Sequence, residues 1–385
     1  MAANKINIVF FNFLRGFSPA LFSFLLAVVG VNKCGKENWG DFVSVLLIVF
    51  LFNFIANWGN KEYLIRAYSD QPHQIKALFS RSFYSRSVFL IFAFALFLFY
   101  PLSIALAGVA LISMRFVYSS FESVVIYQQK FALQFIAELV GFLLILVLIY
   151  WNVTFSVFYF LIVYAAVTAL KIIVLAVVLK PFSTNDFRFD KGMLRQTIPF
   201  FLIGLSGWLH SKIDLYIVDF HLSDAELAQY QILIVAYLML DAVPAFIVQP
   251  FSKHIYRLNA ISLNKMRQIL RWIALPIVLV GSGAIYLFLF YLTDIKFNIP
   301  IYLLMTLGAI PPFFFMIDIF ILYRRQKERL IMKISFVGAA VNLFIGLALV
   351  PLYGVFGAVV GVCFSKWIML IIPFIVKKQN ANLAE

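Results

Sequence analysis

The sequence predicts an all-α fold, a polytopic transmembrane helical bundle of about 12 helices in two six-helix lobes around a central cavity. Three observations lead there. The first is composition: of 385 residues, 64% are hydrophobic and 12% charged, with a mean hydropathy of +0.97. Soluble domains carry about 25% charged residues and have no means of burying so much apolar surface. The second is recurrence, because apolar runs of about 20 residues, enough to cross a bilayer, return along the whole chain. The third is the placing of the cations. A formal net charge of +14 is gathered in alternate short segments between apolar runs, as positive-inside topology requires.

The first six spans are expected at 6–31, 41–58, 87–100, 102–126, 131–150 and 153–178. The second six are expected at 198–220, 228–252, 269–292, 300–322, 331–350 and 353–376. The opening run is longer than a signal-peptide core and no small-residue cleavage site follows it, so it reads as a retained span. The third span is short and meets the fourth at Tyr100-Pro101, where proline breaks the helix. Residues 60–86, with His73, Lys76, Leu78, Phe79 and Arg86, read either as an amphipathic helix on the membrane surface or as a basic loop. The sequon at Asn152 lies in a very short loop and reads as chance.

Orientation follows from the loops. Lys61, Arg66, Lys76, Arg81 and Arg86 lie between spans two and three, and Lys180, Arg188, Lys191 and Arg195 between six and seven. Lys253, Arg257, Lys265, Arg267 and Arg271 fall between eight and nine, and Arg324, Arg325, Lys327, Arg329 and Lys333 between ten and eleven. The opposite loops hold few cations, which puts both termini in the cytoplasm. Residues 1–180 form an N-terminal lobe, 181–197 a cytoplasmic linker and 198–385 a C-terminal lobe. The lobes look weakly alike, as internal repeats of secondary transporters do.

Charge inside the spans carries the functional signal, because a charge at mid-membrane costs about 2.5–3.5 kcal/mol and faces protein or water. Arg15, Arg115, Lys212 and Lys366 lie at comparable depth in spans one, four, seven and twelve. Each alone reads equally as half of a structural ion pair; together they fit a hydrated cationic cavity that attracts an anion. The acids are Glu122, Glu138, Asp214, Asp241 and Asp318. Arg115 and Glu122, seven apart, could share one helix face. His210 and Asp214, one turn apart, could touch and pass protons, and with Asp241 they are the candidates for ion coupling; the alternative is neutralisation of nearby cations. Asp318 reads as a partner for Arg324 or Arg325.

Other classes fit poorly. No basic helix with interleaved aromatics points to nucleic acid. Cys34 and Cys363 form neither a disulfide framework nor a metal site, and the four histidines lack metal-ligand spacing. There is no nucleophile elbow, phosphate-binding glycine loop or dinucleotide fingerprint, so neither an enzyme nor a cofactor is expected.

Three segments do carry a family likeness: Asn57-Trp-Gly-Asn-Lys-Glu-Tyr-Leu-Ile-Arg66, the stretch with Ile198-Pro199 and Asp214, and Val350-Pro-Leu-Tyr-Gly-Val-Phe-Gly-Ala358. In these the chain resembles the Wzx-type oligosaccharide flippases of the MOP superfamily, which also holds the MATE drug exporters and the lipid II flippases. Lipid II flippases resemble it less, since they usually carry two further spans. The resemblance implies a bacterial inner-membrane protein moving a polyprenyl-pyrophosphate-linked oligosaccharide to the outer leaflet during O-antigen or capsule biosynthesis. A polysaccharide polymerase and a chain-length regulator would be its partners. Arg15, Arg115, Lys212 and Lys366 would then hold pyrophosphate or acidic sugar. A cation-coupled drug or metabolite antiporter of the same superfamily is the alternative, and a membrane polysaccharide polymerase a third.

Overall fold

The computed structural model describes residues 2–151, 155–183, 186–248, 260–293, 295–372 and 374–375. Among them every regular element is helical. Among the described residues ten helical rods are long and apolar enough to cross a membrane. Two more complete the expected set: Lys191–His221, which is interrupted by charges, and the shorter apolar Val355–Ile368. The protein is a multi-pass membrane protein. It divides into two compact units, Met1–Gly204 and Leu205–Glu385. The sequon at 152–154, the end of span eight with Lys253 and Arg257, and the last cations at 377 and 378 lie outside the described residues.

The first unit begins with α1 (Ala2–Cys34), α2 (Lys36–Asn57), α3 (Asn60–Asp70) and α4 (Ile75–Ser87). A 3-10 stretch (Val88–Ala95), α5 (Leu96–Phe99), α6 (Leu102–Ser120) and α7 (Glu122–Tyr127) follow, then α8 (Phe131–Trp151), α9 (Val157–Leu179) and the start of α10 (Lys191–His221). Helix α1 packs on α8, and α6 on both α2 and α9. Tyr100 is extended (φ −128°, ψ 154°) ahead of Pro101, as a pre-proline residue should be.

Spans two and three are longer than expected. The segment 60–86 is helical rather than a loop: α3 and α4 continue the neighbouring rods, and the third rod runs Pro72–Phe99. Arg86, expected among the loop cations, is only 1% exposed. The cause lies in the break between α2 and α3, where Trp58 (φ 44°) and Gly59 (φ 68°) both take the left-handed conformation. That break leaves the last carbonyls of α2 without helical partners. Arg86 donates Nη1 to the carbonyls of Ala56 (3.5 Å) and Asn57 (3.4 Å), Nη2 to Ser120 Oγ (2.9 Å) and Nε to Ser82 Oγ (3.2 Å). Its guanidinium lies 5.0 Å from the Phe116 ring centroid. The Trp58 indole is stacked on Phe89 and Phe201 and donates to the Leu194 carbonyl at 3.2 Å. This holds the first part of α10 to the first unit.

The residues ahead of α10 are docked on α4. The Ser183 and Asp190 amides donate to Ser80 Oγ and Ser85 Oγ, both at 2.8 Å, and Arg81 pairs with Asp186 at 3.0 Å. Asp190 caps α10 by accepting from the Met193 amide at 2.9 Å. Helix α10 therefore begins at Lys191, ahead of the expected 198.

The second unit holds the rest of α10, α11 (Asp224–Val248), α12 (Ala260–Leu292), α13 (Ile299–Gly308), α14 (Pro311–Arg324), α15 (Glu328–Tyr353) and α16 (Val355–Ile368). Ser223 and Glu226 form a capping box before α11: each backbone amide donates to the other side chain, at 3.1 and 3.4 Å. Helix α12 starts nine residues ahead of the expected 269, which places Arg267 on a helix rather than in a loop. There it pairs with Asp318, instead of the Arg324 or Arg325 expected from the sequence. Between α15 and α16 the chain turns at Gly354 (φ 57°), and a Cβ on Gly357 would lie 2.4 Å from the Leu349 carbonyl, so only glycine fits there.

Candidate functional site

In the first unit, polar side chains from six helices join into one network. Arg15 of α1 donates to Glu122 of α7 at 3.2 Å and to Gln134 of α8 at 3.5 Å. Lys61 of α3 reaches the same Glu122 oxygen at 3.4 Å. Gln134 also hydrogen-bonds Tyr118 of α6, and Tyr118 donates to Glu138 of α8 at 2.6 Å. Lys171 of α9 pairs with Glu138 at 2.6 Å, and the Tyr118 ring lies beneath its ammonium. Arg115 lies within electrostatic reach of Glu138 and 4.6 Å from the Phe50 ring centroid. Its Nε is buried without a hydrogen-bond partner, and it forms no ion pair among the described residues.

Four cations (Arg15, Lys61, Arg115, Lys171) thus meet three carboxylates (Glu62, which pairs with Lys61 at 3.7 Å, Glu122 and Glu138). The network carries a surplus of one positive charge, and Arg115 is the cation without a bonded carboxylate among the described residues. Glu122 is not ion-paired with Arg115; it bonds Arg15 and Lys61 instead.

The polar cluster of the second unit is balanced. Lys366 of α16 pairs with Asp241 of α11 and lies within electrostatic reach of His210 and Asp214. Asp214, 3% exposed, accepts from the Tyr230 hydroxyl at 2.6 Å, with Lys212 in electrostatic reach. His210 and Asp214 are not hydrogen-bonded to each other. Instead the imidazole fills the space left by Gly338, where a Cβ would come 2.7 Å from Nδ1, and that nitrogen has no hydrogen-bond partner. Asn342, 1% exposed, leaves both amide atoms unpartnered. Two cations, Lys212 and Lys366, here face two carboxylates, Asp214 and Asp241.

The four expected cations therefore fall in two states. Arg15 and Lys366 are bonded to carboxylates of their own unit; Arg115 and Lys212 form no ion pair among the described residues. The sequence reading passed over Lys171, though a lysine fifteen residues into the apolar run of α9 was signal enough. It placed Lys61 in a loop because nothing local shows that α3 continues the span. Tyr118, Gln134, Tyr230 and Asn342 gave no signal, since uncharged polar residues are common in spans.

No protein-family model matches the sequence, and no curated protein matches it either. Solved structures do match in fold. The lipid II flippase MurJ in an inward closed conformation superposes with a TM-score of 0.74 at 13% identity, covering 96% of this chain and 87% of that one. An inward-facing multidrug resistance MATE family transporter of the MOP superfamily gives 0.65 at 12% identity, covering 95% of each chain. A MOP superfamily transporter from Pyrococcus furiosus, described by a binding pocket of reverse polarity that suggests a different function, gives 0.52 at 10% identity over 97% of this chain and 95% of that one. The chain has the fold that the lipid II flippase and the MATE transporters of the MOP superfamily share.

Proposed function

We propose that the protein is a flippase of the bacterial inner membrane, with both termini cytoplasmic. Its substrate is a polyprenyl-pyrophosphate-linked oligosaccharide, carried from the cytoplasmic to the outer leaflet for a surface polysaccharide, O-antigen or capsule. The observation that carries this reading is the positive surplus of the first unit, with Arg115 unpaired inside it. A pyrophosphate head group cannot cross about 30 Å of hydrocarbon unaided, and a guanidinium without a carboxylate partner is the strongest side-chain receptor for phosphate oxygens. Arg115 and Lys212 take the anion directly in this reading. Arg15 and Lys366 set the local potential through their ion pairs, and His210 and Asp214 are the candidates for coupling to an ion gradient. A polymerase and a chain-length regulator are the partners such a flippase would supply.

The fold is shared with a lipid II flippase and with multidrug transporters, so the sign of the polar network separates the readings. A cation exporter needs an acidic site, whereas here cations exceed carboxylates. A polymerase would offer long outer loops, and the described loops are short.

The test is reconstitution in vesicles with a labelled polyprenyl-pyrophosphate oligosaccharide whose accessibility to an impermeant glycosidase reports its leaflet. The wild type should equilibrate the label across leaflets, and depletion in the host should leave single repeat units on the cytoplasmic face with surface polymer lost. No flipping in vesicles, together with a changed sensitivity to cationic drugs alone, would overturn the proposal in favour of an antiporter. Units that reach the outer face unpolymerised would make the protein a polymerase.

A further inference from the structure

We propose that Lys366 is a tethered counter-cation for Asp241: its ammonium occupies the place a monovalent metal ion would take, and so keeps metal ions off this carboxylate. The inference concerns the second unit only and stands whichever substrate is carried.

Asp241 and Lys366 come from different helices, α11 and α16, and meet with side chains only 13% and 14% exposed. A carboxylate at that depth in a membrane protein needs a compensating positive charge. Nothing else supplies one by contact: among the described residues Lys366 is the only ion-pair partner of Asp241, and the second carboxylate oxygen, Oδ1, is buried without a hydrogen bond. The neighbouring groups do not change that balance. Tyr237, one turn before Asp241, is neutral and within electrostatic reach. His210 and Asp214 face Lys366, and Lys212 offsets Asp214. Two lysines and two aspartates leave the cluster without net charge and without attraction for a further cation. Lys366 also lies in the last turn of α16, where the helix dipole favours a positive charge. Its ammonium is therefore stabilised in place from both sides.

Removing the lysine while keeping the aspartate should uncover a cation site. Thermal unfolding of the purified protein in detergent would be followed in sodium, potassium or lithium chloride against choline chloride of equal ionic strength, at pH 6 and pH 8. The wild-type midpoint should be the same in all four salts. Lys366→Met should show a saturable rise in midpoint in at least one metal salt over choline, and the double variant Lys366→Met with Asp241→Asn should lose it. A Lys366→Met protein recovered only in the presence of a metal salt counts as the same result. The charge-swapped pair, Lys366→Asp with Asp241→Lys, should be folded and indifferent to metal, which controls for packing. A saturable metal dependence of the wild type that Asp241→Asn abolishes would overturn the proposal. So would a Lys366→Met protein that responds to pH and to no metal, because the carboxylate would then be satisfied by a proton.

Discussion

Replacing Gly59 by alanine tests the break on which the first unit's polar side depends. Two costs add at this position. The residue has φ +68°, and an L side chain in the left-handed region costs about 1–2 kcal/mol. The new Cβ would also lie 2.6 Å from the Phe201 amide nitrogen and 3.0 Å from the Phe200 carbonyl carbon. Those are backbone atoms that cannot rotate away, and overpacking of this kind costs about 1–3 kcal/mol. The lower entropy of the unfolded alanine chain returns about 0.4–1 kcal/mol. The net loss is roughly 2–4 kcal/mol. Gly207 is the control: it lies inside α10 with nothing within 4 Å of the built Cβ, so Gly207→Ala should stabilise by about 0.5–1 kcal/mol. The assay is unfolding by SDS titration in mixed micelles, read by tryptophan fluorescence, with Trp58 itself a reporter. Equal stability of Gly59→Ala and the wild type would refute the reasoning, because it would mean that the break is not fixed by its contact with α10.

Other substitutions separate architecture from transport. Arg115→Gln should leave expression and unfolding near wild type and lower flipping roughly 10–100-fold, the loss expected for one charge-assisted phosphate contact; Arg15→Gln should cost less, because Lys61 still holds Glu122, and equal losses in the vesicle assay would contradict the assignment. Arg86→Met should destabilise by more than about 2 kcal/mol in the SDS titration, since it strips partners from the Ala56 and Asn57 carbonyls and from Ser120. The hydrogen bond from Ser183 and the Arg81 guanidinium hold the Asp186 carboxyl below its ordinary value of 3.8. A lowered carboxylate contributes above its unfolded value and stops contributing as pH falls through its folded one. Proteolysis of the segment ahead of α10 should therefore be constant from neutral pH down to the ordinary aspartate range and rise only below it, and Asp186→Asn should raise cleavage at neutral pH.

The resemblance in Asn57–Arg66 pointed to the right fold, but the local physics of that segment was not legible. Tryptophan is not a residue that stops helices, and its left-handed conformation is held by Phe89, Phe201 and the Leu194 carbonyl, the last of them 136 positions away. The same holds for the segment 60–86, whose serines and arginine looked solvated. Ser80, Ser82, Ser85 and Arg86 are buried because the orphan carbonyls of α2 and the residues ahead of α10 need their donors and acceptors. By contrast, the turn at Gly354 and the capping box at the start of α11 are satisfied by residues only a few positions apart.

By itself the sequence determined the class of the protein, the number and order of its helical rods and the presence of charges that water or protein must face. Apolar length, helix period and the cost of a charge in hydrocarbon are local quantities, summed along one strand of text. Tertiary structure alone decided which of those charges are spent on each other. Arg15 finds Glu122 across 107 positions and Lys366 finds Asp241 across 125, while Arg115, with no ion pair among the described residues, lies against the face of Phe50 and in the field of Glu138, Tyr118 and Tyr164. Coulomb energy falls with distance in space, and distance in sequence says nothing of it.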